Sequence, residues 1–171
     1  GDLSVPRTEE HGEWPVDGRG RKACMEAWVS LVALRRQLAK ALKKPEYSDH
    51  ELNKLGAPIE EKAFKVRDYA EQGDSLALEI FALQANVLGH GLADLASILD
   101  PGLVAIGGGL SETGFRDWFI DEVRKGFNER AMKPYIKSPL PPYKPTTVIE
   151  WAIGGDAAAA FGSARKAMDL V

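Results

Sequence analysis

The sequence predicts an α/β fold that is rich in helices and contains only part of a parallel sheet. Two segments, 103–127 and 146–170, each combine a short apolar strand, a run of glycines and a helix. The segment 22–99 carries mainly helical patterns. A parallel sheet usually has about five strands. We therefore expect the sheet to be incomplete in these 171 residues, and the chain to be part of a larger protein.

The first forty-five residues predict a loop followed by one helix. Residues 1–20 contain four glycines and two prolines with little apolar periodicity, and predict a loop with a short strand at 3–5. Over 22–43, apolar residues recur at helical spacing and predict a continuous helix that Pro45 ends. Basic residues gather in its C-terminal half, where the helix dipole favours cations. We interpret them as a solvated face, with a phosphate site as the alternative.

Three further helical segments follow. The spacing of Ser48 and Glu51 is that of a capping box and predicts a short helical turn, with His50 on the surface. A second helix is predicted from Pro58 to about residue 72. A third begins at Asp74, reaches residue 99 and is apolar nearly all round, which predicts a helix buried in the middle of the structure.

One pair of polar residues stands out in the long apolar segment. His90 precedes Asp94 by one helical turn, between glycines that interrupt the pattern. We interpret the two as a hydrogen-bonded pair on one helix face. A metal half-site is the alternative, although no further ligand lies nearby in the sequence.

The stretch after residue 99 is the first candidate ligand site. An Asp-Pro-Gly sequence ends the long helix, and the apolar run Leu103–Ile106 predicts a strand buried on both faces of a parallel sheet. Three glycines follow, and a polar run opens a helix. α/β proteins bind ligands at the carboxyl ends of such strands, where glycines let a flat or anionic ligand approach the backbone. A turn that binds nothing is the alternative. The candidate contacts are Gly107, Gly108, Gly109 and Leu110.

The C-terminal part repeats this arrangement after a proline-rich connector. Residues 132–145 contain five prolines and predict an extended, irregular segment. A strand is predicted at 146–153, then a turn at Gly154 and Gly155, then a helix from its N-cap Asp156 to residue 170. Alanines and a glycine leave this helix thin, which favours close packing against a sheet or a bound ligand.

The composition argues against several classes of partner. With 22 basic and 25 acidic residues the net charge is −3, so no overall field favours nucleic acid or an anionic membrane. The single cysteine, Cys24, excludes an internal disulfide and suits a reducing compartment. No uninterrupted apolar run approaches the ~20 residues that span a bilayer, and the N-terminus does not resemble a signal peptide. We expect a cytoplasmic protein without nucleic-acid or membrane partners.

Two segments resemble the ROK family of sugar kinases and sugar-responsive repressors. These are residues 89–111, GHGLADLASILDPGLVAIGGGLS, and 151–168, WAIGGDAAAAFGSARKAM. The resemblance covers nearly the whole chain and implies the C-terminal lobe, residues 1–171, of an actin-like ATPase (ribonuclease H-like) fold. The family's Asp-x-Gly-x-Thr phosphate loop and its catalytic aspartate belong to the N-terminal lobe, which this chain lacks. The chain alone is therefore not expected to phosphorylate a sugar.

The resemblance also implies a sugar site. Family members carry a Gly-Glu-x-Gly-His segment, for which this chain has Asp2 in place of the glutamate and Val5 in place of the histidine. Glu26 matches the last residue of the family's Cys-x-Cys-Gly-x-x-Gly-Cys-x-Glu pattern. Glu26 and Asp2 are thus implied to bind sugar hydroxyls, which carboxylates accept well. For Glu26, a helix-start glutamate stabilised by the dipole is the alternative.

A zinc ion is not expected, although the family pattern implies a zinc site. Asp17 and Arg19 stand where the family has its first two cysteines, and Cys24 keeps the third. A closed structural zinc site needs four thiolate or imidazole ligands. Only Cys24 and His11 are candidates, and the spacing of His11 fits the pattern poorly.

Three functions remain open on this sequence. The first is an ATP-dependent sugar kinase, glucokinase- or fructokinase-like, that uses Mg²⁺ held mainly by the absent lobe. The second is a pseudokinase or assembly subunit, which the replaced cysteines and histidine favour. The third is a sugar-responsive repressor. A hexose-type sugar, the missing N-terminal lobe and a second copy in a homo-oligomer are the expected partners.

Overall fold

The computed structural model describes residues 3–5, 7–9, 12–137 and 146–168. Eight α-helices and two β-strands follow one another in the described residues, with short 3₁₀ turns between some of them. Their order is α1 Met25–Trp28, α2 Leu31–Ala41, α3 Glu51–Lys54, α4 Ile59–Glu71, α5 Ser75–Leu99, β1 Leu103–Ile106, α6 Arg116–Arg130, α7 Lys133–Ile136, β2 Val148–Trp151 and α8 Ala158–Met168. The 3₁₀ turns are Pro45–Tyr47, Gly109–Glu112 and Gly155–Ala157.

Helix α5 is the central element, and α6 crosses it at close range. Asp74 caps α5 as predicted, because its Oδ1 accepts a hydrogen bond of 2.9 Å from the Ala77 N–H. A Cβ added to Gly89 would lie 2.2 Å from the Val123 carbonyl oxygen, and one added to Gly126 would lie 2.3 Å from that of Asn86. The two helix backbones are therefore in contact, and both glycines are required by this packing.

The length and apolar character of α5 match those of a membrane span. It is the one described helix that is long and apolar enough to cross a membrane, by length and composition alone. The sequence expectation of no such segment is therefore incomplete, because Glu79, His90 and Asp94 interrupt the apolar run without making the helix polar. Most of its apolar surface is buried by the rest of the protein, which is the property of a core helix.

Strands β1 and β2 form a parallel pair in which Leu103 lies opposite Val148 and Ile106 opposite Trp151. The prediction that β1 is buried on both faces is wrong. Leu103 is 60% exposed, whereas Val104 and Ile106 pack against the main core. The difference arises because, within the described residues, helices cover only one face of this pair. The outward carbonyl of Ile149 accepts hydrogen bonds from Arg124 at 2.8 and 3.1 Å, so a side chain protects the outer edge of β2.

The N-terminal helical segment is divided in two, contrary to the prediction of one helix over 22–43. Ser30 interrupts it: its hydroxyl accepts a hydrogen bond of 3.1 Å from the Ala33 N–H and so begins α2. The carbonyls left unpaired at the end of α1 are satisfied by side chains of α2. Gln37 donates to Trp28 at 3.1 Å, and Arg36 donates to Ala27 at 2.5 Å.

The basic residues of α2 and the following turn are partly engaged in ion pairs. The Arg36 guanidinium lies 2.7 Å from Glu9 Oε1, Lys40 pairs with the same carboxylate, and Lys44 pairs with Glu79. The interpretation of a solvated face is therefore wrong for Arg36, whose side chain is 23% exposed, whereas Lys40 and Lys44 stay on the surface within ion pairs. Carboxylates from a distant loop and from α5 come within reach only in the folded chain.

Two histidine predictions are wrong. His50, not Ser48, caps α3: its Nδ1 accepts a hydrogen bond of 3.0 Å from the Leu52 N–H, and its Nε2 lies 3.0 Å from Asp74 Oδ2. Its side chain is only 10% exposed. His90 contacts Glu129 of α6 at 3.2 Å rather than Asp94. In both cases a partner from a neighbouring helix replaces the local partner that the spacing favoured.

The C-terminal third agrees with the predicted order but differs locally. The connector is helical over α7, because Pro134 lies in the first turn, where proline is tolerated. Its residues 138–145 lie outside the described part of the chain. Helix α8 follows a 3₁₀ turn, and the side chain of its predicted cap Asp156 also lies outside the described part. A Cβ on Gly162 would meet nothing within 4 Å, so the predicted close packing of α8 is not seen there.

Candidate functional site

The glycine turn after β1 leaves the backbone open on one side. Gly108 has φ +100° and ψ −179°, a conformation that essentially only glycine adopts. A Cβ at this position would meet nothing within 4 Å. Two side-chain hydroxyls stabilise the turn. The Ser111 hydroxyl donates to the Gly108 carbonyl at 2.7 Å, and the Thr113 hydroxyl donates to the Leu110 carbonyl at 2.9 Å. A flat ligand has access to the peptide plane of Gly108.

The helix that follows the turn begins later than the sequence suggests. The 3₁₀ turn Gly109–Glu112 comes first, and α6 starts only at Arg116. Arg116 links these parts, because its Nη1 donates to the Ser111 carbonyl at 2.9 Å and its guanidinium lies 5.9 Å from the Trp151 ring centroid. The prediction placed the N-terminus of a helix directly beside the glycines. A 3₁₀ turn that Arg116 stabilises lies there instead.

The second glycine turn lies against the first. Gly154 and Gly155 follow β2 with φ +102° and +55°, and a Cβ on Gly155 would lie 2.6 Å from Glu112 Oε1. The 3₁₀ turn Gly155–Ala157 contacts Gly109–Glu112. Both turns meet at the carboxyl ends of a parallel strand pair, the edge where α/β proteins bind ligands.

Helix α4 contributes a residue to this site that the sequence did not single out. The Arg67 guanidinium lies 3.1 Å from the position that a Cβ on Gly109 would occupy. Arg67 itself is exposed. One turn later, Glu71 Oε1 accepts a hydrogen bond of 3.0 Å from the Gly114 N–H. The i, i+4 spacing places both side chains on one face of α4. Only tertiary packing, however, brings that face to the glycine turn, so no sequence signal marks it.

Glu26 lies in a different part of the chain, in the first turn of α1. Its side chain is 37% exposed, and its Oε2 lies 3.3 Å from Nη2 of Arg21. The other implied sugar residue, Asp2, lies outside the described residues, as does His11. Val5 is buried beside Trp28 of α1 in a small apolar cluster separate from the main core. Glu26 thus lies on α1, whereas the glycine turns follow β1 and β2.

Asp17, at the position of a family cysteine, has a buried carboxylate with several hydrogen bonds. Its Oδ1 accepts from the backbone N–H groups of Arg19 and Arg21, each at 2.8 Å. Its Oδ2 accepts from Arg21 Nε at 2.8 Å and from the Cys24 thiol at 3.4 Å. Burial alone would raise the pKa of the Asp17 carboxyl. The backbone N–H groups, the thiol and the charge of Arg19 outweigh that effect and lower the pKa below its ordinary value.

This arrangement does not fit a zinc ion. Both carboxylate oxygens of Asp17 already accept hydrogen bonds, and the positive guanidinium of Arg21 stands beside the thiol's partner. Within the described ranges, no group of three or more His, Cys, Asp and Glu side chains is placed to hold a metal. Cys24 is a buried thiol engaged with Asp17.

A cavity of about 550 Å³ lies elsewhere, between the N-terminal segment and helices α2 and α5. Trp28, Lys40 and Leu83 are among its lining residues. None of its lining residues belongs to either glycine turn. The candidate site described above is an open edge of the sheet, as expected for one wall of a cleft.

Comparison with solved structures defines the class of fold. A Streptomyces griseus ROK family glucokinase, solved in complex with glucose and AMPPNP, matches with a TM-score of 0.65 and 28% identity, over 85% of this chain and 45% of that one. A ROK family transcriptional regulator, a homologue of the E. coli MLC protein, matches with a TM-score of 0.58 at 18% identity, over 88% of this chain and 34% of that one. The second match concerns the fold alone. The fold is that of a partial lobe of an actin-like ATPase.

The sequence comparisons then give the family. The ROK family model matches residues 11–168, and the chain belongs to the ROK family. It is 37% identical over 120 residues to the glucokinase of Thermotoga maritima, a match that covers 66% of this chain and 37% of that enzyme. The chain thus spans less than half the length of the relatives it matches.

Proposed function

We propose that residues 1–171 are the C-terminal lobe of an ATP-dependent sugar kinase, which transfers the γ-phosphate of ATP to a hydroxyl of a hexose. The observation that carries this proposal is the meeting of two glycine turns at the carboxyl ends of both parallel strands. The similarity to a glucokinase at 37% identity supports the sugar kinase class. The catalytic base and the phosphate loop would come from the rest of the protein.

The nucleotide would lie against the first glycine turn. Gly107, Gly108 and Gly109 present backbone without side chains, and Leu110 is half-buried beside them. The adenosine would approach the peptide plane at Gly108, where no Cβ intervenes, and Arg67 would stack on the base or ribose face. The AMPPNP complex of the Streptomyces griseus relative supports a nucleotide as the ligand. Mg²⁺ would be held mainly by the other lobe and would neutralise charge on the ATP phosphates.

The hexose would be held by Glu26, together with Asp2. A carboxylate accepts hydrogen bonds from two hydroxyls at once, which suits adjacent hydroxyls of a sugar ring. One oxygen of Glu26 contacts Arg21, and its side chain is partly exposed. A hexose is supported by the glucose bound in the Streptomyces griseus glucokinase.

Two further partners belong to this proposal. The exposed Leu103 and Val148, paired across the two strands, form an apolar strip that the missing lobe or another part of the kinase would cover. The complete protein would be a homo-oligomer in the cytoplasm. Its buried free thiol is compatible with a reducing compartment.

A pseudokinase or an assembly subunit is the second candidate. It is favoured by Val5 and Asp17, which replace a family histidine and a family cysteine near the implied sugar site. A sugar-responsive repressor is the third; a ROK family transcriptional regulator shares this fold. Sugar-dependent formation of ADP and a sugar phosphate by the full-length protein separates the kinase from both.

The nucleotide assignment is tested by Gly108→Asp in the full-length protein. The substitution adds a Cβ at φ +100° and a negative charge where the adenosine would lie against the backbone. We expect ATP affinity, measured by calorimetric titration, to fall at least about tenfold, because the new carboxylate would take the space of the adenosine or be buried beneath it without a partner. Sugar affinity and the melting temperature should stay at their wild-type values, which would show that the variant is folded.

Gly12→Asp is the matched control. Gly12 also has a positive φ, +75°, with open space around its Cβ position, but it lies in the N-terminal turn away from the sheet. It introduces the same charge at another glycine with positive φ, so ATP affinity should stay unchanged. Equal ATP affinity in Gly108→Asp and the wild type would refute the nucleotide assignment.

A further inference from the structure

The loop that precedes Glu26 is a closed hairpin with an arginine at its end. Val16 and Lys22 form an antiparallel bridge, the Asp17 N–H donates to the Arg21 carbonyl at 2.9 Å, and the Gly20 N–H donates to the Asp17 carbonyl at 3.1 Å. Gly20 has φ +83°, as this tight turn requires. The backbone of residues 17–21 is thus held by its own hydrogen bonds.

Arg21 lies between two carboxylates of unequal burial. Its Nε donates to Asp17 Oδ2 at 2.8 Å, and its Nη2 lies 3.3 Å from Glu26 Oε2. The Asp17 side chain is fully buried, whereas that of Glu26 is 37% exposed. A buried carboxylate needs a compensating partner, so Asp17 and Arg21 are held firmly together. The planar guanidinium fork then presents Nη2 to Glu26 in a fixed direction.

We propose that Arg21 is a positioning residue that orients the Glu26 carboxylate for the sugar, and that Asp17 in turn fixes Arg21. This inference rests on the proposed function, because it concerns sugar binding only if Glu26 binds the sugar. Asp17, Arg21 and Glu26 form a line of alternating charge in which Oε2 of Glu26 is held by Arg21. Its other oxygen, Oε1, would accept from a sugar hydroxyl.

A lysine cannot replace this arginine. Its single ammonium is a point charge on a flexible stem, and it cannot keep one planar group on Asp17 while a second nitrogen holds Glu26. The Arg21→Lys variant therefore keeps the charge and removes the orientation. We expect sugar affinity to fall about tenfold, the size of one lost hydrogen bond to a charged group, while ATP affinity stays the same.

The experiment is a double-mutant cycle on the full-length protein. Calorimetric titrations with ATP and with a panel of glucose, fructose, mannose and N-acetylglucosamine are made for the wild type, Arg21→Lys, Glu26→Gln and the double variant. If Arg21 acts through Glu26, Arg21→Lys should weaken sugar binding in the wild type and have little further effect in Glu26→Gln. A general structural role would weaken binding equally in both backgrounds, and that result overturns the proposal.

Arg19→Lys is the matched control, because Arg19 lies in the same hairpin, is exposed, and contacts Asp17 through its backbone N–H. It should leave both affinities unchanged.

Unaltered ATP affinity in every variant shows that the fold is retained. If Glu26→Gln weakens sugar binding but Arg21→Lys leaves it unchanged, the positioning role alone is overturned. A wild type that binds ATP but none of the four sugars overturns the sugar site and this inference together, and leaves the nucleotide assignment standing.

Discussion

Arg67 was proposed to contact the nucleotide only because of the folded structure, in which its guanidinium lies 3.1 Å from the Cβ position of Gly109. We expect Arg67→Ala in the full-length protein to weaken ATP binding between about twofold and thirtyfold. The reason is that a guanidinium stacked on an aromatic ring contributes roughly 0.5–2 kcal/mol. Calorimetric titration with ATP measures the change.

Lys65→Ala is the corresponding control. Lys65 is exposed on α4 two residues before Arg67, so the helical turn directs it to a different face. Its removal takes away the same charge without touching the glycine turn, and ATP affinity should be unchanged. If both variants lose affinity equally, the effect is general electrostatics, and Arg67 does not contact the nucleotide.

The two kinds of site residue differ in how far the sequence could predict them. The glycines after β1 and Glu26 were proposed from the sequence because each belongs to a contiguous motif. Arg67 was missed because its link to the turn spans 42 positions and exists only through packing. Asp17 was recognised as a departure from the family pattern, but its hydrogen bonds to Arg21 and Cys24 depend on the hairpin fold.

At the scale of elements, the crossing of α5 and α6 depends on the absence of a side chain at Gly126. A methyl group there would stand 2.3 Å from the Asn86 carbonyl oxygen, and the backbone of α5 cannot move aside as a side chain would. We expect Gly126→Ala to lower the free energy of unfolding by about 1–3 kcal/mol, the usual cost of overpacking. Urea denaturation followed by circular dichroism measures it.

Gly162→Ala provides the opposite case. Gly162 also lies inside a helix, but a Cβ there meets nothing within 4 Å. Alanine favours the helical conformation over glycine by roughly 0.5–1 kcal/mol, so this variant should be as stable as the wild type or slightly more stable. Similar destabilisation by both substitutions would contradict the close α5–α6 crossing.

The elements themselves were largely predictable, and their boundaries less so. The apolar periodicity gave α4, α5 and α6, and the short apolar runs gave β1 and β2. The break between α1 and α2 was missed because Ser30 lies within an otherwise continuous helical pattern, and only its side-chain hydrogen bond reveals the new N-terminus. The exposure of Leu103 was missed because an apolar strand pattern does not report whether a second layer covers it.

At the scale of the whole molecule, the two candidate sites belong to separate cores. The strands and the glycine turns rest on the main core of α4, α5 and α6, whereas α1 and the N-terminal segment pack on another part of α5 through the small cluster of Val5, Trp28 and Val87. Substitutions at one site should therefore leave binding at the other unchanged, which is why ATP and sugar titrations serve as mutual controls.

The whole protein is expected to fold and bind its ligands without zinc. The oxygens of Asp17 already accept hydrogen bonds, so a metal at Cys24 would have to displace the like-charged guanidinium of Arg21. Elemental analysis of the full-length protein should find less than stoichiometric zinc, and EDTA should leave its melting temperature unchanged. Asp17→Cys, which restores one thiolate but breaks the contact with Arg21, should lower the melting temperature whether or not zinc is added. Zinc equimolar with the chain, or a chelation-induced loss of stability that zinc reverses, would contradict this and indicate ligands outside the described residues.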